Sequence, residues 1–495
     1  MLNLDFNIDI HVHSTYKPLG AAVANGKYIQ KNKDDKSSLW FYNPPSPVDK
    51  IFNYLLNLTK FSQANLTSSY YGNVWVMVLA MGSIEKKFFN NFFGLGEASA
   101  LLDNFVVGLG TDYIRHIENT NDYFNDLQNE LFFVQSNMSK SIKLDQQTLQ
   151  YKLVNNFNEL EEIILSNENT LKLASENGGR TNLPITIALI MSVEGMHVLN
   201  CGLDDVCSPQ EVILNARKLK KLSFSPWFVT FSHHFYNELC GHSRSLSGHI
   251  SKICDQTKGI NTSFTSLGEE VLEILLNDTD GKRIFIDIKH LSAQGRLDYF
   301  KKRNELDPDN TLIPVIISHG ACNGFPDRET LRSEYEELAE GFCKDDINFY
   351  DMEILEVVKT NGIFGLQLDE RRIANEEALR RTKNSIFRNK IMHYRSELVW
   401  KQIQYIAELL DKKNLPSWQH IAIGSDYDGI VDPVNSFWTT EQYNLLKSYL
   451  ERHAFEYLKT CDKRLINKVN RAITADQIVQ NIFQLNAWNF FKRWY

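Results

Sequence analysis

No stretch of the 495 residues approaches the roughly eighteen consecutive apolar residues that a membrane-spanning helix needs. The opening MLNLDFNIDI also lacks the basic region and cleavable apolar segment of a secretory signal. The expected compartment is therefore the cytoplasm, with no membrane partner. The seven cysteines are odd in number and contain no CxxC pair, which excludes a disulfide framework or a redox motif and predicts reduced thiols. Cys201 and Cys207, the nearest in sequence, are read as buried thiols in the same way. A net charge of -8, with no Lys/Arg-rich stripe interleaved with aromatics, excludes nucleic acid as a partner. The absence of internal repeats and of low-complexity tracts excludes a solenoid or a disordered arm.

What is present is a folded chain: 43% hydrophobic, 23% charged and 12% aromatic residues are enough to build a substantial core. Eight apolar runs of strand length, rich in β-branched and aromatic residues, break at Gly, Ser, His or Asp: 6–13, 74–82, 185–194, 227–233, 284–290, 313–319, 363–368 and 421–426. Helical patterns lie between the later runs, such as SLGEEVLEILLND and SELVWKQIQYIAELLDKK. Alternation of this kind predicts a parallel sheet buried on both faces. Eight units suit a closed (β/α)8 barrel, although an open doubly wound sheet gives similar local patterns. The polar residues favour the barrel. Six of the eight runs end in His, Glu or Asp, at the end where a barrel assembles its active site from different strands.

The chain is thus expected to form one barrel domain over 1–495 with two insertions, after the first and second strands, at about 14–73 and 83–184. The first holds the loop FYNPPSPVDK, and the second carries helical patterns such as YFNDLQNELFFVQ. Insertions there cover the active-site mouth, as a lid or as a surface for a homo-oligomer.

On an extended strand, residues i and i+2 share a face, so HVH places the imidazoles of His11 and His13 side by side. Alone, that spacing is weak evidence for metal. Glu194 ends the third run, His290 the fifth and His319 the sixth. Imidazole and carboxylate are ligand types that suit zinc and related cations, and a carboxylate can bridge two ions. Asp426, at the end of the last run, is the candidate general base beside a metal-activated water, while Asp428 is expected to order the Gly-containing turn. His233 and His234 are adjacent and should face opposite sides, and His233, in the alternation of Val229 and Phe231, is assigned to substrate or oxyanion contact. His197, His242 and His249 read as loop residues, and His116, His393, His420 and His453 as helix or surface positions.

The motifs DIHVH, SVEG, TFSHH, FIDIKHLS, VIISHG and IAIGSDYDG, in that order, resemble those of the membrane dipeptidase (renal dipeptidase) family of the amidohydrolase superfamily, and QNIFQLNAWNFF resembles its closing helix. The resemblance covers roughly 185–495 and the first strand; the two insertions have no counterpart. It implies a barrel holding two zinc ions, one bound by His11, His13 and Glu194 and the other by Glu194, His290 and His319. It further implies substrate contact by His233 and proton handling by Asp426. Arg328 is the nearest candidate for the family's carboxylate-binding arginine. One departure stands out: the family has His-x-Asp on the first strand where this chain has His-Val-His, which raises the charge of that site by one unit. The expected activity is metal-dependent cleavage of an amide in a dipeptide or dipeptide-like molecule. Hydrolysis of a cyclic amide, lactone or other non-peptide substrate is the alternative chemistry, and a catalytically silent binding scaffold is the alternative of another class.

Overall fold

Each of the eight apolar runs contains a strand of one parallel sheet. The structure, a computed structural model, describes residues 4–24, 26–56, 59–89, 108–176, 181–203, 206–246, 254–330, 337–382, 387–429 and 431–495. Among the described residues ten strands are formed: β1 (Asn7–Val12), β2 (Val74–Met81), β3 (Ile142–Leu144), β4 (Gln147–Val154), β5 (Ile185–Glu194), β6 (Phe228–Thr230), β7 (Phe285–Asp287), β8 (Ile316–Gly320), β9 (Ile363–Leu366) and β10 (Ile421–Ile423). Every residue of β1, β2 and β5 is buried, as continuous β-branched and aliphatic runs require when both faces of a sheet are covered.

Eight strands pair in the order β1-β2-β5-β6-β7-β8-β9-β10, parallel throughout. The ring closes between its ends: His13 N–H donates to Tyr427 O (2.9 Å) and Asp426 N–H to His11 O (3.0 Å). This is a (β/α)8 barrel. Its N-terminal end is plugged by the last helix, Asn486–Trp494, where Phe490 and Phe491 pack on Trp227 at ring separations of 5.2 and 5.1 Å. Polar chemistry is left to the other end. Inside the barrel, β8 and β9 approach so closely that only glycine fits at 365: a Cβ there would lie 1.9 Å from Ser318 O.

Two features depart from the expectation. A hairpin, β3–β4, lies within the second insertion, turning at Asp145 in the left-handed region (φ 52°), and β4 runs parallel to the first half of β5. The alternating QTLQYKLV has one half-exposed face, so it does not read as a doubly buried run. Strands β6 and β7 are also only three residues long, so His233 and His290 stand beyond their strand ends.

The segment between β1 and β2 holds the helices Tyr16–Val23, Pro47–Leu56 and Leu66–Tyr71, and it is tied to the barrel by Asp428. Its carboxylate accepts from the backbone N–H of Gln63 (3.0 Å) and Ala64 (2.9 Å) and pairs with Lys17 (2.6 Å). Expected to order its own turn, Asp428, with a positive φ of 68°, instead anchors the insertion. No helix of the described residues is long and apolar enough to cross a membrane.

Candidate metal centre

At the C-terminal ends of the strands, the side chain of Glu194, last residue of β5, is ringed by imidazoles. Its Oε1 lies 3.5 Å from His11 Nε2, 3.5 Å from His290 Nε2 and 3.6 Å from His319 Nε2. Its Oε2 lies 3.0 Å from His13 Nε2 and 3.3 Å from His233 Nε2. Asp426 completes the group: Oδ1 is 3.3 Å from His13 and 3.8 Å from His11, and Oδ2 is 3.8 Å from His319. All seven side chains are buried. Two of them, His290 and Asp426, have φ of 65° and 62°, a conformation that costs free energy for non-glycine residues and clusters at functional sites.

The structure brings His11, His13, Glu194, His290, His319, Asp426 and His233 into one pocket. Compact donor triads form from His11, Glu194 and His319; from His11, His13 and Asp426; and from Glu194, His233 and His290. His319 thus groups with His11, and His290 with His233. These residues fit a divalent cation by one direct observation. Both ring nitrogens of His11 and His13, Nε2 of His319 and Oε1 of Glu194 are buried with no hydrogen-bond partner, and burying such atoms unpaired is costly unless an ion takes the lone pairs.

The electrostatics agree with a ligand cage. Burial drives the pKa of His290 and His319 well below the ordinary histidine value, which keeps them neutral and able to ligate. Burial alone would also lower His13 and His233, but the charge of Glu194 outweighs it and lifts them to about 9 and about 10. Glu194 is held well below the usual carboxylate range: burial opposes this, and the surrounding histidines, His233 foremost, overcome it.

Two buried aspartates aim the ring. Asp287 accepts from the N–H of Lys289 and Ser318 (both 3.0 Å) and from the hydroxyls of Thr230 and Ser318 (both 2.6 Å). With its one proton committed to Asp287, Ser318 Oγ can only accept from His319 Nδ1, 2.8 Å away. That fixes the tautomer and turns the bare Nε2 toward Glu194. Asp9, across the closing seam, accepts from the N–H of His11 (3.1 Å) and Ser425 (3.0 Å), from Ser425 Oγ (2.5 Å) and from the Tyr443 hydroxyl, and so holds the backbone of His11 rather than its ring.

Other residues of the pocket escaped the sequence reading. Gln367 Nε2 donates to Asp426 Oδ2 (2.7 Å), and Lys289 Nζ donates to Gln367 Oε1 (3.3 Å). Burial pushes Lys289 down to about 7, helped by the neighbouring charge of Arg372. Glu85, from the segment after β2, lies 3.0 Å from His233 Nδ1 and accepts from the N–H of His234 (3.2 Å) and Phe235 (2.9 Å). Its carboxyl is held far below the usual range despite burial, by the charge of His233. The available signal was modest: Gln367 is the polar residue in the seventh run, and Lys289 stands next to His290.

Both His233 and His234 line the cavity, because β6 stops at Thr230 and strict alternation ends with it. Arg328 is exposed and lies outside the cavity wall; the arginines that line the cavity are Arg371 and Arg372, after β9. His197 bonds Ser83 O (2.7 Å), and both nitrogens of His242 bond backbone carbonyls at 3.0 Å. His116, His420 and His453 each have a local partner, His393 stacks near His453, and His249 lies outside the described residues.

Fold and centre together define a (β/α)8 barrel with a histidine–carboxylate pocket at the C-terminal ends of its strands. Among solved structures the chain is similar to a metallopeptidase from Rhodobacter sphaeroides, determined with a phosphinate mimic of the dipeptide L-Ala-D-Ala: 11% identity over 99% of both chains, with a TM-score of 0.52, which establishes a shared fold. A likeness to the probable dipeptidase PvdM from Pseudomonas aeruginosa, at 12% identity over 99% of this chain and 96% of that one, has a TM-score of 0.47 and supports no further argument. No protein-family model and no curated protein matches the sequence.

Proposed function

We propose that the chain is a metal-dependent hydrolase of the membrane dipeptidase type, cleaving the amide bond of a dipeptide or dipeptide-like small molecule. The observation that carries the reading is the set of buried imidazole nitrogens without hydrogen-bond partners around Glu194. The likeness in fold to a metallopeptidase bound to a dipeptide mimic supports it. His11, His13, Glu194, His290 and His319 would hold two divalent ions; all-N/O donors and buried neutral imidazoles suit zinc. When bound, the metal supplies Lewis acidity that polarises a carbonyl and lowers the pKa of water.

The protein's own groups do the rest. Asp426, clamped through Oδ2 by Gln367, offers Oδ1 as the base that takes the proton of the attacking water and returns it to the leaving nitrogen. His233, steadied by Glu85, points Nε2 into the pocket, where it can donate to the substrate oxygen as charge develops. The whole of 1–495 acts as one domain in which 14–73 and 83–184 are insertions. None of the seven cysteines is in a disulfide, which supports a cytoplasmic setting.

Metal analysis by mass spectrometry, combined with a mixed dipeptide library, tests the reading. The expected result is stoichiometric metal, dipeptide cleavage that is lost on chelation and regained on adding zinc, and loss of both metal and turnover in Glu194→Ala and His290→Ala. Full activity without metal overturns the mechanism. Cleavage of a lactone or cyclic amide beside inert dipeptides moves the substrate to the alternative class, and less than one ion per chain points to a binding scaffold.

A further inference from the structure

Beside the proposed centre lies a further donor group that takes in residues the centre leaves aside. Glu85, from the segment after β2, His197, from the turn Met196–Leu199 after β5, and His233, beyond β6, each present one donor atom. The three atoms lie within 4.8 Å of one another. All three side chains are buried, with 4%, 2% and 8% exposed.

The neighbours decide which nitrogens are bare. His197 Nε2 is 2.7 Å from the carbonyl oxygen of Ser83, which can only accept, so Nε2 carries the proton and Nδ1 holds a lone pair. That Nδ1 is buried and has no hydrogen-bond partner. His233 Nδ1 is 3.0 Å from Glu85 Oε2 but outside hydrogen-bonding geometry, and it too is buried and unpartnered. The carboxylate of Glu85 is fixed beside it by the backbone N–H groups of His234 and Phe235. Gly195 makes the room: its φ is 93°, and a Cβ there would lie 2.3 Å from His197 Nδ1 and 3.1 Å from His233 Cβ.

Unpaired imidazole nitrogens and a carboxylate converging in a buried space are costly to hold without a positive centre among them. One proton shared by His233 and Glu85 would satisfy two of the three atoms and leave His197 Nδ1 bare. A divalent cation takes all three. Two imidazoles and one carboxylate are also the donor set of zinc sites that keep an open position.

We propose that Glu85, His197 and His233 form a further divalent-cation site, of the zinc class, next to the two-ion centre. The two faces of His233 serve different neighbours, since its Nε2 lies 3.3 Å from Glu194 Oε2 on the far side of the ring from Glu85. Ligation through Nδ1 puts the ring's proton on Nε2, the nitrogen that donates to the substrate oxygen in the proposed hydrolase. The cation also ties the segment after β2 to the ends of β5 and β6. The site is argued from its own three residues and stands apart from the hydrolase reading.

The test uses the full-length protein equilibrated with zinc at free concentrations set by chelator buffers, with bound metal counted by mass spectrometry. Glu85→Gln and His197→Phe are each expected to bind one zinc ion fewer than the unaltered protein while keeping the ions at Glu194. Equal zinc content in the unaltered protein and both variants overturns the site. If the unaltered protein binds a single ion and both variants lose it, the site stands and the two-ion reading of the centre fails. Anomalous scattering at the zinc edge, from crystals of the unaltered protein grown with zinc, needs no variant to fold. A peak at bonding distance, about 2.0–2.2 Å, from Glu85, His197 Nδ1 and His233 Nδ1 is expected, and zinc at Glu194 with no peak there overturns the proposal.

Discussion

Replacing Ser318 by alanine should weaken metal binding without removing a metal donor. In the folded protein Ser318 Oγ stands between Asp287 and His319, donating to the first at 2.6 Å and accepting from the ring Nδ1 of the second at 2.8 Å. Without it, His319 is free to take the other tautomer, which puts a proton on the nitrogen facing Glu194, and the ring can turn about its bond. Loss of such an orienting partner lowers metal affinity by about 10–100-fold, which is about 1.4–2.8 kcal/mol. The effect on folding is smaller. Asp287 keeps the Thr230 hydroxyl and the two backbone N–H donors, so the lost hydrogen bond is worth about 1 kcal/mol. Competition against a chromophoric chelator measures the affinity, and a thermal melt of the metal-free variant checks that it is folded. A folded Ser318→Ala protein whose zinc affinity stays within twofold of the unaltered protein would refute the claim that Ser318 sets the His319 tautomer.

Two further outcomes follow from burial and close packing. Glu130, 1% exposed and accepting from Gly82 N–H (2.9 Å), is pushed by burial from 4.5 up to about 7. The folded chain thus keeps a proton that the unfolded chain releases, so the group favours folding below pH 4.5 and loses that contribution as the pH rises through 7. In the metal-free protein, Glu130→Gln should therefore gain about 3 kcal/mol relative to the unaltered chain between pH 4.5 and 8 in denaturant titrations; a pH-independent difference would contradict the assignment. Gly365→Ala would place a methyl 1.9 Å from Ser318 O and 3.0 Å from Ile10 Cδ1, so it should destabilise the fold by about 1–3 kcal/mol and weaken metal binding through the displaced β8. An unfolding midpoint equal to that of the unaltered protein would show that β8 and β9 are not so tightly apposed.

The barrel was legible because its signal is local. A strand covered on both faces must be apolar at nearly every position, and β1, β2 and β5 announce themselves on that ground alone. The β3–β4 hairpin was not legible, because an edge strand with a half-exposed face carries a weaker pattern. In the pocket, the end of each run marks where a side chain reaches the barrel mouth. His11, His13, Glu194, His290, His319, Asp426 and His233 could accordingly be singled out one by one, and the fold brings them together.

Hydrophobic period and chain order depend only on neighbours along the chain, so the eight barrel strands and the polar residues that end six of them were readable there. Contacts between residues far apart in the chain settled which histidines share an oxygen of Glu194, that Asp428 anchors the first insertion, that Ser318 orients His319, and that Lys289 and Arg372 line the cavity while Arg328 stays exposed. Those outcomes depend on where strands stop and loops turn back, at residues such as His290 and Asp426 with positive φ. Beyond the end of a strand, side-chain direction no longer follows the two-residue alternation, and partners distant in sequence set it instead.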